Sequence, residues 1–312
     1  MIKKILLSKW TRGLLSVVLI YFAFRKVNLL KILGGLSAVP VKWIILNVFY
    51  GILMTTIGSY RWAVLFFGKT NRKQVFDFTK SSFAGSFYSL FFPTGAVGDL
   101  FKWIPLKAKY PEFTKIRLFS SVFWDRFVGL TAFAVVALVS STVAKIFGFP
   151  IPNYLYLLFG GITLGVIVFY IAVFKFDLHR IFLKFKKLSK FHDAIDFLKS
   201  QNKWRFLKCL LISFVSEFLW IMQVWFVSNI FGAGFTIWSV FVFLPVIALI
   251  LLLPISIAGF GAREQLYLIF FGSIAVDNER ILMVSAFMGI LGIFNALLGG
   301  LITLIPDKTK KI

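Results

Sequence analysis

The sequence has few of the residues that carry polar chemistry in most enzymes. Its 312 residues include one cysteine, Cys209, and two histidines, His179 and His192. One cysteine excludes an internal disulfide. Because the sequence has only three cysteines and histidines in all, a His/Cys metal site and a histidine-based nucleophilic triad are nearly excluded. The sequence also lacks a nucleotide-binding motif. We therefore expect neither a metal nor a cofactor.

Charged residues are also scarce. They make up 15% of the chain, compared with about 25% in a soluble domain. Hydrophobic residues make up 59%, and the mean hydropathy is +0.89. These values exclude a soluble or disordered protein. Only 12 acidic residues oppose 35 basic ones, for a net charge of +23. In so apolar a chain, this excess indicates membrane topology and an anionic lipid surface, and it argues against nucleic acid as a partner.

Long apolar runs supply candidate membrane spans. A spanning helix needs about 20 mostly apolar residues. Six runs meet or approach this length: residues 13–24, 41–60, 118–139, 154–174, 206–230 and 281–305. The first run follows a basic stretch and has no small-residue cleavage site close behind it. We interpret it as an uncleaved span instead of a signal peptide.

Two further apolar segments, residues 81–103 and 237–271, are interrupted. The interruptions are Pro93, Gly95 and Gly98 in the first segment and Pro254, Gly259 and Gly261 in the second. Proline removes a helix donor, and glycine loosens the backbone. Non-helical backbone at membrane depth persists only where protein or a watery cavity covers it. The sequence therefore predicts an all-α polytopic membrane protein with about six full spans and two re-entrant or broken helical hairpins.

The distribution of basic residues favours the re-entrant arrangement. If both broken segments re-enter, the basic loops 61–80, 102–117 and 175–208 and the basic tail all lie on the cytoplasmic side. This arrangement predicts a protein of the cytoplasmic membrane with both termini in the cytoplasm. One connection, residues 25–42, contradicts the rule because it places four basic residues outside. An amphipathic stretch at the interface would explain that exception.

The same arrangement has an internal pattern. A span, a broken hairpin and a span occur twice, and the two hairpins enter from opposite sides. We predict one transmembrane domain over residues 1–312. Its half-repeats cover about 41–139 and 206–305, and the basic loop at about 175–208 precedes the second. Paired broken segments of this kind mark the binding site in inverted-repeat transporters.

Seven charged residues lie inside apolar segments, where each costs about 2.5–3.5 kcal/mol. They are Asp99, Lys102, Asp125, Arg126, Glu217, Arg263 and Glu264. Arg263 and Glu264 are adjacent, as are Asp125 and Arg126, so we expect each to find partners elsewhere. The charges either hold the helices together or line a polar cavity for a charged headgroup. Their clustering at the two breaks favours the cavity.

Small residues form one face of the last span. They are Ser285, Gly289, Gly292, Ala296, Gly299 and Thr303, at alternating spacings of four and three. Such a face lets helix backbones approach closely, so we interpret it as a packing surface.

Three motifs occur in an order that resembles the lysylphosphatidylglycerol synthase transmembrane-region family, which is also described as flippase-like. The motifs are Phe87-x5-Pro93-Thr94-Gly95-x2-Gly98-Asp99-x2-Lys102, Asp125-Arg126-x2-Gly129 and Pro254-x4-Gly259-x-Gly261-x-Arg263-Glu264. The resemblance covers about residues 41–305. Gly98 stands alone where the family usually has a glycine pair, and Lys102 replaces the usual arginine. Lysine keeps the charge but loses the bidentate fork.

The resemblance implies a membrane module with re-entrant segments. In bifunctional relatives this module flips an aminoacylated phospholipid made by a separate cytosolic domain. The present sequence ends at Ile312, so we expect no synthase domain and no lysyl transfer. Other relatives accompany hopanoid, isoprenoid or archaeal glycolipid pathways, so the family does not fix the lipid.

Three classes of function remain open. The leading hypothesis is a protein that binds or translocates a membrane lipid with a charged headgroup. An intramembrane lipid-modifying enzyme or glycosyltransferase accessory is the second, although residues 25–42 lack the acidic residues usual in the first external loop of such enzymes. The third is a scaffold for a separate lipid-synthesis enzyme. The oligomeric state is open in all three.

Overall fold

The computed structural model describes residues 28–90, 98–175, 202–253, 259–274 and 276–304, together with Val18, Tyr21, Phe22, Phe197 and Ser256. These residues contain ten helices and no strand. The helices are α1 Leu29–Ser37, α2 Val41–Phe67, α3 Arg72–Ser89, α4 Trp103–Lys109, α5 Lys115–Ile146, α6 Asn153–Lys175, α7 Lys203–Ile230, α8 Ile237–Leu251, α9 Ala262–Gly272 and α10 Asn278–Leu304. The predicted all-α class is confirmed.

Five helices are long and apolar enough to cross a membrane: α2, α5, α6, α7 and α10. They confirm five of the six predicted spans, and each is longer than the apolar run that predicted it. The first predicted span lies almost wholly outside the described residues, as do most of the 175–208 loop and the C-terminal tail. The loop predicted at residues 61–80 was wrong at both ends, because α3 already begins at Arg72. Helix α2 continues to Phe67, so Arg61 lies within the helix and does not begin a loop.

The chain forms two compact units. The first takes its described residues from Met1–Thr55, Ser82–Lys102 and Trp220–Ile312, and the second from Thr56–Ser81 and Trp103–Leu219. In the first unit, α9 packs against both α8 and α10, and α1 packs against α10. In the second unit, α5 packs against α4 and α6. An aromatic group in this unit includes Trp62, whose indole N–H donates to Ser121 Oγ at 2.9 Å.

The second broken segment forms a helical hairpin in the first unit. Its arms α8 and α9 have 15 and 11 residues. They are therefore about 22 and 16 Å long, each short of the roughly 30 Å hydrocarbon core. The ends of the hairpin meet, because the ring of Phe235 stacks on that of Phe271 with centroids 3.8 Å apart. At the break, Gly259 and Gly261 adopt φ angles of +81° and +79°, which favour glycine. Short arms with joined ends are the geometry of a re-entrant segment.

The first broken segment also folds back on itself. Helix α3 ends at Ser89. After the break, Gly98 lies so close to Ser89 that a Cβ on Gly98 would be 2.7 Å from Ser89 Cβ. Four residues further from the break on each side, Gly85 contacts Lys102 in the same way. The predicted interruptions Pro93, Gly95 and Pro254 lie outside the described residues.

Helix α1 accounts for part of the basic connection at residues 25–42. It is capped by Asn28, whose Oδ1 accepts a hydrogen bond from the Lys31 backbone N–H at 3.2 Å. Its Ile32 packs with Leu282 at the start of α10. The ammonium of Lys31 lies 3.1 Å from a carboxylate oxygen of Glu279. This basic residue is therefore paired with an acid from a connection predicted to lie on the same side.

Candidate functional site

The seven predicted charges fall into both units. Asp125, Arg126 and Glu217 belong to the second unit, and Asp99, Lys102, Arg263 and Glu264 belong to the first. Each unit brings some of them together with residues that were not predicted as site residues.

In the second unit, the side chain that organises the cluster is Arg61 of α2. Its Nε donates to Asp125 Oδ1 of α5 at 2.8 Å, and its Nη1 donates to Ser213 Oγ of α7 at 3.0 Å. Ser213 in turn donates to the Cys209 carbonyl at 2.9 Å. One guanidinium thus joins three helices. The apolar run that resumes at Trp62 and continues to Phe67 was the signal that Arg61 lies inside a span.

Gly129 makes room for this guanidinium. It follows Asp125 by one turn on α5. A Cβ at this position would lie 3.2 Å from Nη1 and 3.5 Å from Nη2 of Arg61. The spacing between Asp125 and Gly129 therefore places a carboxylate acceptor beside the space left by the glycine. Arg61 from α2 donates to the carboxylate and fills that space.

Glu217 lies one turn beyond Ser213 on α7. It interacts electrostatically with Arg61 and with Arg126. Arg61 is already paired with Asp125, and the side chain of Arg126 is exposed. Glu217 makes no hydrogen bond or ion pair with any residue that the structure describes.

In the first unit, Glu264 closes the backbone break of the second hairpin. Its Oε2 accepts from the Gly261 backbone N–H at 2.7 Å. Its Oε1 accepts from Arg263 Nη2 at 2.7 Å and from Ser285 Oγ of α10 at 3.2 Å. Arg263 and Glu264 share Ser285 as a partner elsewhere, but contrary to the prediction they also pair with each other. Glu264 is the third residue of α9 and folds back to cap its start, which brings one oxygen to its neighbour.

The guanidinium of Arg263 lies against Gly289 of α10. A Cβ on Gly289 would meet Nη2 of Arg263 first, and Cζ and Nη1 would lie 2.7 and 2.9 Å from it, so the glycine faces the edge formed by Nη1 and Nη2. Arg263 Nε also lies 3.3 Å from Ser285 Oγ, and Cζ lies 5.4 Å from the centroid of the Phe260 ring. The predicted packing face of α10 therefore has a second role, because part of it holds an arginine.

Elsewhere on that face, close packing is confirmed at Gly299 but not at Gly292. A Cβ on Gly299 would lie 2.7 Å from the carbonyl carbon of Phe83 on α3, whereas one on Gly292 would meet nothing within 4 Å. At the first break, Lys102 Nζ lies 3.4 Å from Asp99 Oδ2, and both residues are buried. Within the described residues, no group of three or more His, Cys, Asp or Glu could hold a metal ion.

A family model described as "Lysylphosphatidylglycerol synthase TM region" matches residues 9–299. The chain belongs to this family. The match confirms the resemblance drawn from the three motifs and supports a membrane protein linked to lipid handling. No curated protein and no solved structure matches the chain.

Two of the family motifs build the two arginine clusters. Each cluster combines an arginine, a carboxylate, a serine and a glycine that accommodates the guanidinium. They are Arg61, Asp125, Ser213 and Gly129 in the second unit, and Arg263, Glu264, Ser285 and Gly289 in the first. The motifs therefore supply the two carboxylates together with Gly129 and Arg263, and helices elsewhere in the sequence supply Arg61, the two serines and Gly289.

Proposed function

We propose that this protein is a flippase-like membrane protein that binds a charged lipid and moves its headgroup through polar residues within the membrane. Aminoacyl-phospholipids and polyprenyl- or isoprenoid-linked lipids fit this description. The proposal is carried by the Arg263–Glu264 ion pair, which stands on a backbone break between two helices too short to span. Unwound helix ends at membrane depth are where transporters place their substrate sites.

Each unit contributes its own candidate contacts for a headgroup. Lys102, Arg126 and Arg263 are the candidate contacts for a phosphate. The acids Asp99, Asp125, Glu217 and Glu264 balance them or meet an amino group. Because Asp125 and Glu264 are already held by arginines, Glu217 is the strongest candidate for an amino contact. The acyl or prenyl tails would stay in the bilayer.

Reconstitution tests this proposal. Purified protein is placed in liposomes with fluorescent anionic, aminoacyl or zwitterionic lipids, and the fraction that crosses is read by chemical quenching from outside. We expect the wild type to accelerate movement of at least one lipid. Glu217→Gln and Arg263→Gln should slow it about tenfold, which corresponds to losing roughly 1.4 kcal/mol.

Gly292→Ala is the matched control because its side chain enters open space. Its rate should equal that of the wild type. Folded Glu217→Gln and Arg263→Gln proteins that move lipid at the wild-type rate would contradict the proposal and would favour a scaffold for a separate lipid-synthesis enzyme.

We also propose that the protein lies in the cytoplasmic membrane with both termini in the cytoplasm. The orientation places certain loops on the same side of the membrane, and contacts between such loops support it. In the first unit, Lys31 pairs with Glu279, and Arg280 donates to the Gly232 carbonyl. In the second unit, Gly68 lies against the guanidinium of Arg205. Cysteines placed at Ser37 or at Asn71 should be labelled by an impermeant maleimide from outside and from inside, respectively. Labelling of both positions from one side would refute the orientation.

A further inference from the structure

We propose that the second unit carries a basic rim that binds the headgroups of anionic membrane lipids. The rim is formed by exposed cations in the first turns of α3, α5 and α7. They are Arg72, Lys73, Lys115, Arg117 and Lys203. None of them belongs to the candidate headgroup contacts named above, and the rim can bind lipid whether or not the protein moves it.

Helices α2 and α5 meet at the rim through an arginine that lies over two aromatic rings. Helix α2 ends at Phe67. The Cζ atom of Arg117 lies 5.4 Å from the centroid of the Phe66 ring and 5.1 Å from that of the Phe113 ring. The side-chain N–H groups of Arg117 have no hydrogen-bond partner among the described residues. The two rings therefore hold this exposed cation near the end of α2, where its N–H groups can meet a phosphate oxygen.

The other two helix starts lie at the same end of α2. Arg205, in the first turn of α7, places its guanidinium against Gly68, the residue that follows α2. Helix α3 begins at Arg72, and the ring of its Phe78 lies 5.6 Å from the ring of Phe67 at the end of α2. All three helix starts therefore gather at one end of the second unit, and their cations form one patch.

The rim cations lack acidic partners. None of the five forms an ion pair with a described residue, and no acidic residue lies in the first turn of α3, α5 or α7. Two exposed cations of the first unit differ, because Lys31 pairs with Glu279 and Arg280 pairs with Asp277. The positive end of each helix dipole adds to the charge of the rim. An anion is therefore the partner that suits this patch.

Each helix start also exposes a large apolar side chain. The exposed fractions are 62% for Phe76 on α3, 48% for Ile116 on α5 and 77% for Trp204 on α7. Phe119 and Leu207, further along α5 and α7, are exposed as well, and both helices are long and apolar enough to cross a membrane. The apolar side chains of the rim thus continue along surfaces that lipid would cover. Cations beside them suit anionic headgroups with acyl chains alongside, and suit a nucleic acid or an acidic soluble protein less well.

Native mass spectrometry of the full-length chain in detergent tests the rim. The chain is titrated with phosphatidylglycerol and with phosphatidylcholine of the same acyl chains, and the bound lipids are counted. Each basic residue near an anionic surface contributes about fivefold to binding, so the wild type should prefer phosphatidylglycerol at least about tenfold. Lys115→Gln combined with Arg117→Gln should cut that preference about fivefold or more. Raising the ionic strength should reduce it too, because salt screens exposed charges.

The matched control is Lys42→Gln combined with Lys145→Gln, which removes the same charge from exposed lysines outside the rim. Lys145 lies in the last turn of α5, about 42 Å along the helix from Arg117. The control should keep the wild-type preference. Lys73→Gln combined with Lys203→Gln removes two rim charges from the other two helices and should lower the preference like the first variant. The result therefore does not depend on the folding of one protein.

Three results would overturn the rim: the wild type binds both lipids equally, both rim variants keep the wild-type preference, or the control loses as much as they do. Displacement of phosphatidylglycerol by inorganic phosphate at the same concentration would assign the patch to a free anion and would also overturn it. The same conclusion follows if the rim variants lose binding of a single-stranded RNA oligonucleotide but keep their preference for phosphatidylglycerol.

This test is independent of lipid movement. Rim variants that lose the phosphatidylglycerol preference but move lipid at the wild-type rate support the rim and leave the proposed function intact. If the rim variants keep the preference while the reconstituted wild type moves lipid, the rim is wrong and the proposed function stands.

Discussion

Replacing Arg61 with leucine should unfold the second unit more readily than almost any other single change. Arg61 Nε and Asp125 Oδ1 are 2.8 Å apart, and the Asp125 side chain is 1% exposed. Removing the arginine leaves a buried carboxylate without its cation. Breaking a buried ion pair from one side costs about 3–5 kcal/mol, because the remaining charge stays desolvated. Ser213 also loses a donor, although it keeps its own bond to the Cys209 carbonyl.

The double substitution Arg61→Leu with Asp125→Leu should recover most of this loss. Apolar residues of similar volume in place of a whole buried pair are often neutral or stabilising by about 1–4 kcal/mol. The two effects together give a thermodynamic cycle with a large coupling energy. A coupling below about 0.5 kcal/mol would mean that the pair contributes little to the fold.

The protein carries its own probe for this measurement. Cys209 is the single cysteine, it is fully buried, and its Sγ lies 3.7 Å from the Arg61 carbonyl oxygen. Maleimide labelling during an SDS titration therefore reports opening of this cluster. Arg61→Leu should be labelled at a lower SDS fraction than the wild type, and the double variant should approach the wild type. Arg126→Gln, a substitution at the exposed neighbour of Asp125, is the control and should change little. If the double variant opens as early as Arg61→Leu, the reasoning is refuted.

Two other predictions concern the last helix. Gly299→Ala should destabilise the first unit by about 1–3 kcal/mol because its methyl group meets the Phe83 carbonyl carbon, whereas Gly292→Ala should stay within about 0.5 kcal/mol. SDS unfolding of both variants checks this, and equal effects would contradict it. The pKa of Lys31 is raised by its hydrogen bond to Glu279 and by the charges of Asp277 and Glu279. The pKa of Asp277 is lowered, chiefly by its hydrogen bond to Glu279 and also by the charge of Lys31. The acid's contribution is lost as pH falls through its lowered pKa, and that of Lys31 is lost as pH rises through its raised pKa. The hydrogen-exchange protection factors of α1, which divide out the intrinsic pH dependence of amide exchange, should therefore be largest between these limits, and Lys31→Ala should remove their alkaline decline.

Hydropathy predicted most of the spans but not their lengths. In the sequence, a charged residue at the edge of an apolar run looks like the start of a loop. Arg61 shows why this reasoning fails, because it is neutralised by Asp125, 64 residues away in the sequence. A charge inside a span is tolerated when its partner lies on another helix, and a linear sequence does not show which helix that is.

Gly259 and Gly261 predicted where the second broken segment is interrupted, because the effect of glycine on the backbone is local. The partners at the break could not be predicted in the same way. Glu264 pairs with its own neighbour because it folds back onto Gly261, and that geometry depends on the positive φ of Gly261. The role of Gly289 was hidden for a different reason. In the sequence, a glycine that packs against a helix looks the same as one that packs against a guanidinium.

The two arginine clusters have the same kinds of residues but use their donors differently. Arg61 binds acceptors on two other helices, and its side chain is 10% exposed. Arg263 bonds to Glu264 and Ser285 through Nε and Nη2, lies against Gly289, and is 16% exposed. An arginine that joins helices should affect stability when it is replaced, whereas Arg263, the proposed headgroup contact, should also affect ligand binding. Arg61→Lys and Arg263→Lys each keep the positive charge but remove the bidentate guanidinium. This pair of variants therefore separates the role in joining helices from the role in binding a ligand. The first should shift the SDS midpoint, and the second should shift the affinity for a phosphate-bearing lipid.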